Sequence, residues 1–73
     1  MDETWFNKLT LEERYLLIKE EGEFVASRLS NGYNVHLFIV RKTYVEMWRT
    51  VTLHQIQWIE IAKNTDILAE YVK

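Results

Sequence analysis

Few residues in this chain are able to do acid–base chemistry, and they are scattered. The titratable candidates are His36, His54, Glu46, Glu60 and Asp66. General acid–base work needs such groups converging on one point with separated pKa values. His36 stands in YNVHLFIV, where a hydrogen-bonded core or interface histidine is a plainer expectation than a base or a metal ligand. Glu46 alternates with Tyr44 and Trp48, so a strand would carry all three on one face. A half-buried carboxylate at that place needs a cation, and Arg28 falls on the same face as its expected partner. No His/Glu spacing matches a metal site, no serine has a nucleophile-elbow context, and no glycine-rich loop could cradle a phosphate. The absence of cysteine excludes disulfides and thiolate zinc sites. A small enzyme or ligand-binding protein using His36 and Glu46 is thus the weakest of three readings, and no cofactor or metal is expected.

Two further patterns concern binding. Tyr33, Tyr44 and Trp48, with Arg28, Arg41, Lys42 and Arg49, could stack bases and neutralise phosphates on a sheet surface, as single-strand binders do. Against this stand a net charge of −2 and the lack of an RNP-like glycine/aromatic motif, so nucleic acid is a disfavoured partner. The other pattern is Tyr44, Met47, Trp48 and Arg49. Aromatics, Met and Arg are enriched at interface cores, and these four lie together in sequence. They are the expected contact residues of a non-enzymatic protein–protein interaction module. Its partner is expected to be a second copy of the chain or another protein.

These side chains need a scaffold, and its framework is Glu23 to Trp48. Asn31-Gly32 sits between two apolar, β-rich runs, and a type I′ hairpin turn needs positive φ at both of its central positions. That turn sets Ser30 opposite Tyr33, Arg28 opposite Val35, Ala26 opposite Leu37 and Phe24 opposite Ile39. A second two-residue turn at Arg41-Lys42 would set Ile39 opposite Tyr44, Leu37 opposite Glu46 and Val35 opposite Trp48. Neither Arg nor Lys favours positive φ, so a longer loop or a bulge is expected there instead. Alternation then gives one face Phe24, Ala26, Tyr33, Val35, Leu37, Ile39, Tyr44 and Trp48. The other face takes Val25, Leu29, Phe38, Val40, Val45 and Met47.

Helices are expected on either side of the meander. Trp5 and Phe6 suggest a docked arm or a helical turn begun at Asp2 or Thr4. Thr10 to Glu13 reads as a capping box that opens a helix over 11–21, with Leu11, Tyr15, Leu17 and Ile18 facing the core. Gly22 is placed to end it in the left-handed conformation. Glu20, Glu21 and Glu23 make an acidic corner. QIQWIEIA, from Gln55 to Ala62, fits a fourth strand better than a helix, because its isoleucines are stiff at χ1 and the preceding strand needs a neighbour. Asn64 or Thr65 would cap a short last helix, with Asp66 in its first turn, Lys73 in its last, and Ile67, Leu68, Tyr71 and Val72 facing inward.

The fold class is therefore α+β: an N-terminal helix, an antiparallel meander of three to four strands and a short C-terminal helix, in one domain over 1–73. Ten of the 73 residues are aromatic and 48% are hydrophobic, which excludes disorder. No apolar run exceeds four residues, so no membrane span is expected, and a cytoplasmic location is the default. One problem is physical: both sheet faces carry bulky residues. A helix on each face, closure into a barrel, or a second copy would each resolve it.

Overall fold

A computed structural model describes residues 1–64 and 66–72. Among these residues the order is α1 (Glu3–Asn7), α2 (Leu11–Glu21), β1 (Glu23–Ser30), β2 (Tyr33–Val40), β3 (Thr43–Thr50), β4 (Ile56–Ile61) and a 3-10 turn, Ile67–Tyr71. The strands form one antiparallel sheet in the order β1-β2-β3-β4. The α+β meander is thus present, and 56–61 is a strand. The last element is a 3-10 turn rather than an α-helix.

Both hairpin turns have the two-residue form. Asn31 and Gly32 have φ of 46° and 85°. Arg41 and Lys42 have φ of 47° and 65°, and the pairing continues without interruption from Val40↔Thr43 to Tyr33↔Thr50. The loop or bulge expected at the second turn is therefore absent. Eight consecutive pairs between β2 and β3 hold the tight turn, and two residues without glycine's freedom are forced into the left-handed region. Irregularities fall elsewhere, one in β4, where Trp58 and Ile56 pair with Trp48 and Arg49 and leave Gln57 over, and one in β1. Register shifts between Phe24 and Ala26, so Val25 is left over and Phe24 pairs with Phe38 rather than Ile39. Phe24 consequently lies on the opposite face from the one alternation assigns it. Its ring stands edge-on to Phe38, with centroids 5.8 Å apart.

The N-terminal segments cover the face carrying Val40, Val45, Met47 and Ile59. Phe6, Leu17 and Ile18 pack into that cluster. Asp2 caps α1 by accepting from the Thr4 amide at 3.0 Å. The capping box of α2 is complete: Glu13 donates its amide to the Thr10 hydroxyl at 3.1 Å, and Thr10 donates its amide to the Glu13 carboxylate at 2.9 Å. Leu11 and Tyr15 are exposed, contrary to expectation. The inward position one turn before Leu17 and Ile18 belongs to Arg14, whose guanidinium donates to the Leu9, Asn7 and Ile59 carbonyls. Gly22 does not enter the left-handed region; its φ is −83° and ψ 147°. Glycine is required there by contact, since a Cβ would lie 2.6 Å from the Ile18 carbonyl oxygen.

On the opposite face Val35 and Leu37 are fully buried. The C-terminal turn lies there, packs against β1 and buries Ile67. Leu68 and Val72 are exposed rather than inward-facing, because a single 3-10 turn presents too little surface to bury all four apolar residues. Its N-cap, Asp66, makes no side-chain capping bond, and Asn64 Oδ1 accepts from the Asp66 amide at 2.9 Å. Thr65 and Lys73, named above as cap and last-turn residue, lie outside the described residues. The chain's own termini thus shelter both sheet faces. A bare face no longer calls for a second copy; what stays open is an edge.

Candidate functional site

The four expected contact residues do not share one surface. Tyr44 and Trp48 lie on the face with the C-terminal turn, both half-buried. Met47 and Arg49 lie on the helix-covered face, and Met47 is in the core at 5% exposure. The aromatic and basic residues are divided in the same way. Tyr33 stands edge-on to Trp48, and Arg28 sits 5.3 Å over the Trp48 ring. Arg41 is in the second turn, bonded through two nitrogens to the Glu21 carboxylate at 2.8 Å. That pair accounts for one member of the acidic corner and holds the Glu21 carboxyl below its ordinary range, chiefly through the Arg41 hydrogen bond.

Glu46 has the cation expected of it. Its Oε2 accepts from Arg28 Nη2 at 3.2 Å and from the Tyr71 hydroxyl at 2.7 Å. Arg28 also lies 5.3 Å from the Tyr71 ring. Burial first, and then the Glu46 carboxylate, raise the Tyr71 pKa well above the usual phenol value. The phenol is kept neutral and donating, so this buried charge pair pins the C-terminal turn to the middle of the sheet.

His36 has a partner that sequence reasoning did not name. Its Nδ1 lies 2.7 Å from Ser27 Oγ across the β1–β2 ladder. Cross-strand pairing of two positions that alternate to the same face could have revealed it. The distance is one that a nucleophile and base could use, but among the described residues no third side chain hydrogen-bonds the imidazole to orient it. Burial, then the Arg49 cation, push His36 below the ordinary imidazole range, so the imidazolium that a base must form is disfavoured. Among the described residues no group of three His, Asp or Glu side chains converges as a metal site. No helix there is long and apolar enough to cross a membrane.

The two sheet edges differ. Ala62 donates its amide to the Tyr44 carbonyl, so by the two-residue alternation Glu60 and Trp58 turn their polar groups toward β3, and those of Ile59 and Ile61 point out of the sheet. Arg14 donates to the outward Ile59 carbonyl at 2.7 Å, and α1 packs against β4. That edge is covered in part: the Ile59 carbonyl is taken and α1 lies alongside, while the outward amide and carbonyl of Ile61 have no partner among the described residues. On β1 the two-residue hairpin makes Ser30, Arg28 and Ala26 the inward-bonded positions, so the amides and carbonyls of Ser27 and Leu29 point outward. Among the described residues the backbone of neither has a hydrogen-bond partner on that side. Leu29 is 71% exposed and Phe24 60%. Arg14 was not singled out from sequence, because it reads as one more solvated helix charge.

No family model, curated protein or solved structure matches the chain.

Proposed function

We propose that this protein is a non-enzymatic interaction module that self-associates by pairing β1 with β1 of a second copy. The observation carrying this reading is the inequality of the edges: β4 has α1 and α2 packed against it and Arg14 on its Ile59 carbonyl, whereas β1 offers unpaired backbone flanked by exposed Phe24 and Leu29. Antiparallel pairing about a two-fold axis would continue the sheet to eight strands across the two copies. It would use up both β1 edges and leave only the helix-packed β4 edges outside, so assembly stops at a dimer.

Sedimentation or light scattering tests it directly. A dimer mass at micromolar concentration is expected, reverting to monomer in Leu29→Lys, because a charge at the pairing edge opposes its own symmetry mate. Ser27→Pro is the second variant, since it removes an outward amide without breaking a ladder hydrogen bond, together with the Ser27–His36 side-chain contact. A monomer mass up to millimolar concentration refutes self-association. A dimer that survives both substitutions places the interface elsewhere.

A further inference from the structure

The helices cover only part of their sheet face. Beside α2, next to the β1 edge, a groove of about 370 Å3 opens between Tyr15 and Lys19 of the helix and Phe24, Phe38, Met47 and Arg49 of the sheet. Its floor is apolar and aromatic: Met47 at the base, with the Phe24–Phe38 pair along one wall. Its charged groups are both cations, although the protein as a whole is acidic at −2. Among the described residues Lys19 and Arg49 form no ion pair within 4 Å, and Arg49 Nε is buried without a hydrogen-bond partner. The other arginines each hold an acceptor, Arg14 on carbonyls, Arg28 with Glu46 and Arg41 with Glu21, although Arg28 Nε is likewise unpaired. A buried guanidinium nitrogen left unpaired is costly, and a carboxylate supplies the planar, charged acceptor it lacks.

We infer that this groove docks an acidic, apolar segment of a partner protein, with an aromatic or aliphatic side chain between Phe24, Phe38 and Tyr15 and an adjacent carboxylate on Arg49 and Lys19. The volume suits one or two side chains, not an enclosed metabolite, and the open side lets a peptide backbone run past. Docking uses side chains of α2, β1, β2 and β3, Phe24 among them, rather than the free backbone of β1. It goes beyond the self-association described above and stands or falls without it.

The test is a titration of the full-length protein with a fluorescein-labelled peptide of alternating glutamate and phenylalanine, set against the same peptide with lysine for glutamate. Both are run on wild type and on the Leu29→Lys variant, so that loss of self-association and loss of docking are seen separately. The acidic peptide alone is expected to bind, with affinity falling as salt rises. Lys19→Glu with Arg49→Glu should weaken it by at least about tenfold, and Phe24→Ala, at an exposed position, should also weaken it. In the complex the His36 imidazole, which faces Ser27, Phe24 and Arg49, should titrate at higher pH by NMR, because the bound carboxylate offsets Arg49. Equal binding of both peptides, no binding of either, or an unchanged affinity after charge reversal overturns the inference. So does tighter binding of a mixed single-stranded oligonucleotide.

Discussion

Arg28→Met is the sharpest perturbation of the sheet's second face. Glu46 is 5% exposed, and without Arg28 its carboxylate keeps only the Tyr71 hydroxyl. Removing one partner of a buried ion pair costs about 3–5 kcal/mol. The retained Tyr71 bond and the accessible part of the Arg28 side chain reduce this, whereas loss of the cation's contacts with Trp48 and Tyr71 adds to it. A net loss of about 2–3 kcal/mol follows, a large share of the roughly 4–11 kcal/mol that a domain of this size possesses. The melting temperature should fall on the order of 10–20 °C. Circular dichroism during urea and thermal unfolding measures it, at one protein concentration and on the Leu29→Lys background, so that dimerisation does not contribute. Adding Glu46→Leu and Tyr71→Phe removes the stranded polar groups together and should recover most of the loss. A single variant within about 0.5 kcal/mol of wild type would show that Arg28 is not neutralising a buried charge. A triple variant as unstable as the sum of its parts would show that the three residues do not act together.

Three other outcomes follow from particular contacts. Lys42→Gly should stabilise by roughly 0.5–1 kcal/mol in the same unfolding experiment, because it relieves a left-handed residue at φ 65° while Arg41 keeps its bond to Glu21. Tyr71 has its pKa raised in the fold, so the unfolded chain loses that proton first; its stabilisation is complete below the unfolded value of about pH 10 and is lost as pH rises beyond it. The urea midpoint of wild type should therefore fall more steeply than that of Tyr71→Phe between about pH 9 and 11, and parallel curves would contradict this. Arg14→Met unplugs the Ile59 carbonyl and should add species larger than the dimer in sedimentation, as well as lowering stability.

Local signals with one physical solution were legible in the sequence. Asn31-Gly32 set the first hairpin's pairing from Ser30↔Tyr33 to Ala26↔Leu37, Thr10 and Glu13 set the start of α2, and face alternation found Arg28 for Glu46. What stayed hidden depends on contacts distant in sequence. The bulge at Val25 removes Phe24 from its expected partner, and nothing within β1 marks it. Arg41 and Lys42 form a tight turn that their own propensities oppose, because the ladder beyond them outweighs the local strain. The candidate contact residues were chosen as neighbours in sequence, and the pleat sends Met47 and Arg49 to one face and Tyr44 and Trp48 to the other.

The same long-range contacts decide what kind of association the chain can support. Greasy side chains on both faces suggest face-to-face stacking, but three N-terminal core residues cover most of one face and the C-terminal turn sits on the other. The backbone of the outer strands is then the unsatisfied group that remains. A sheet with two open edges would add copies without limit, whereas a sheet with one can close on itself. In the proposed dimer it is Arg14, projecting from α2 across 45 residues of sequence to the Ile59 carbonyl, that sets the β4 edge apart from β1. A side chain that sequence pattern assigns to solvent is thus the one on which the proposed dimer depends for its limit.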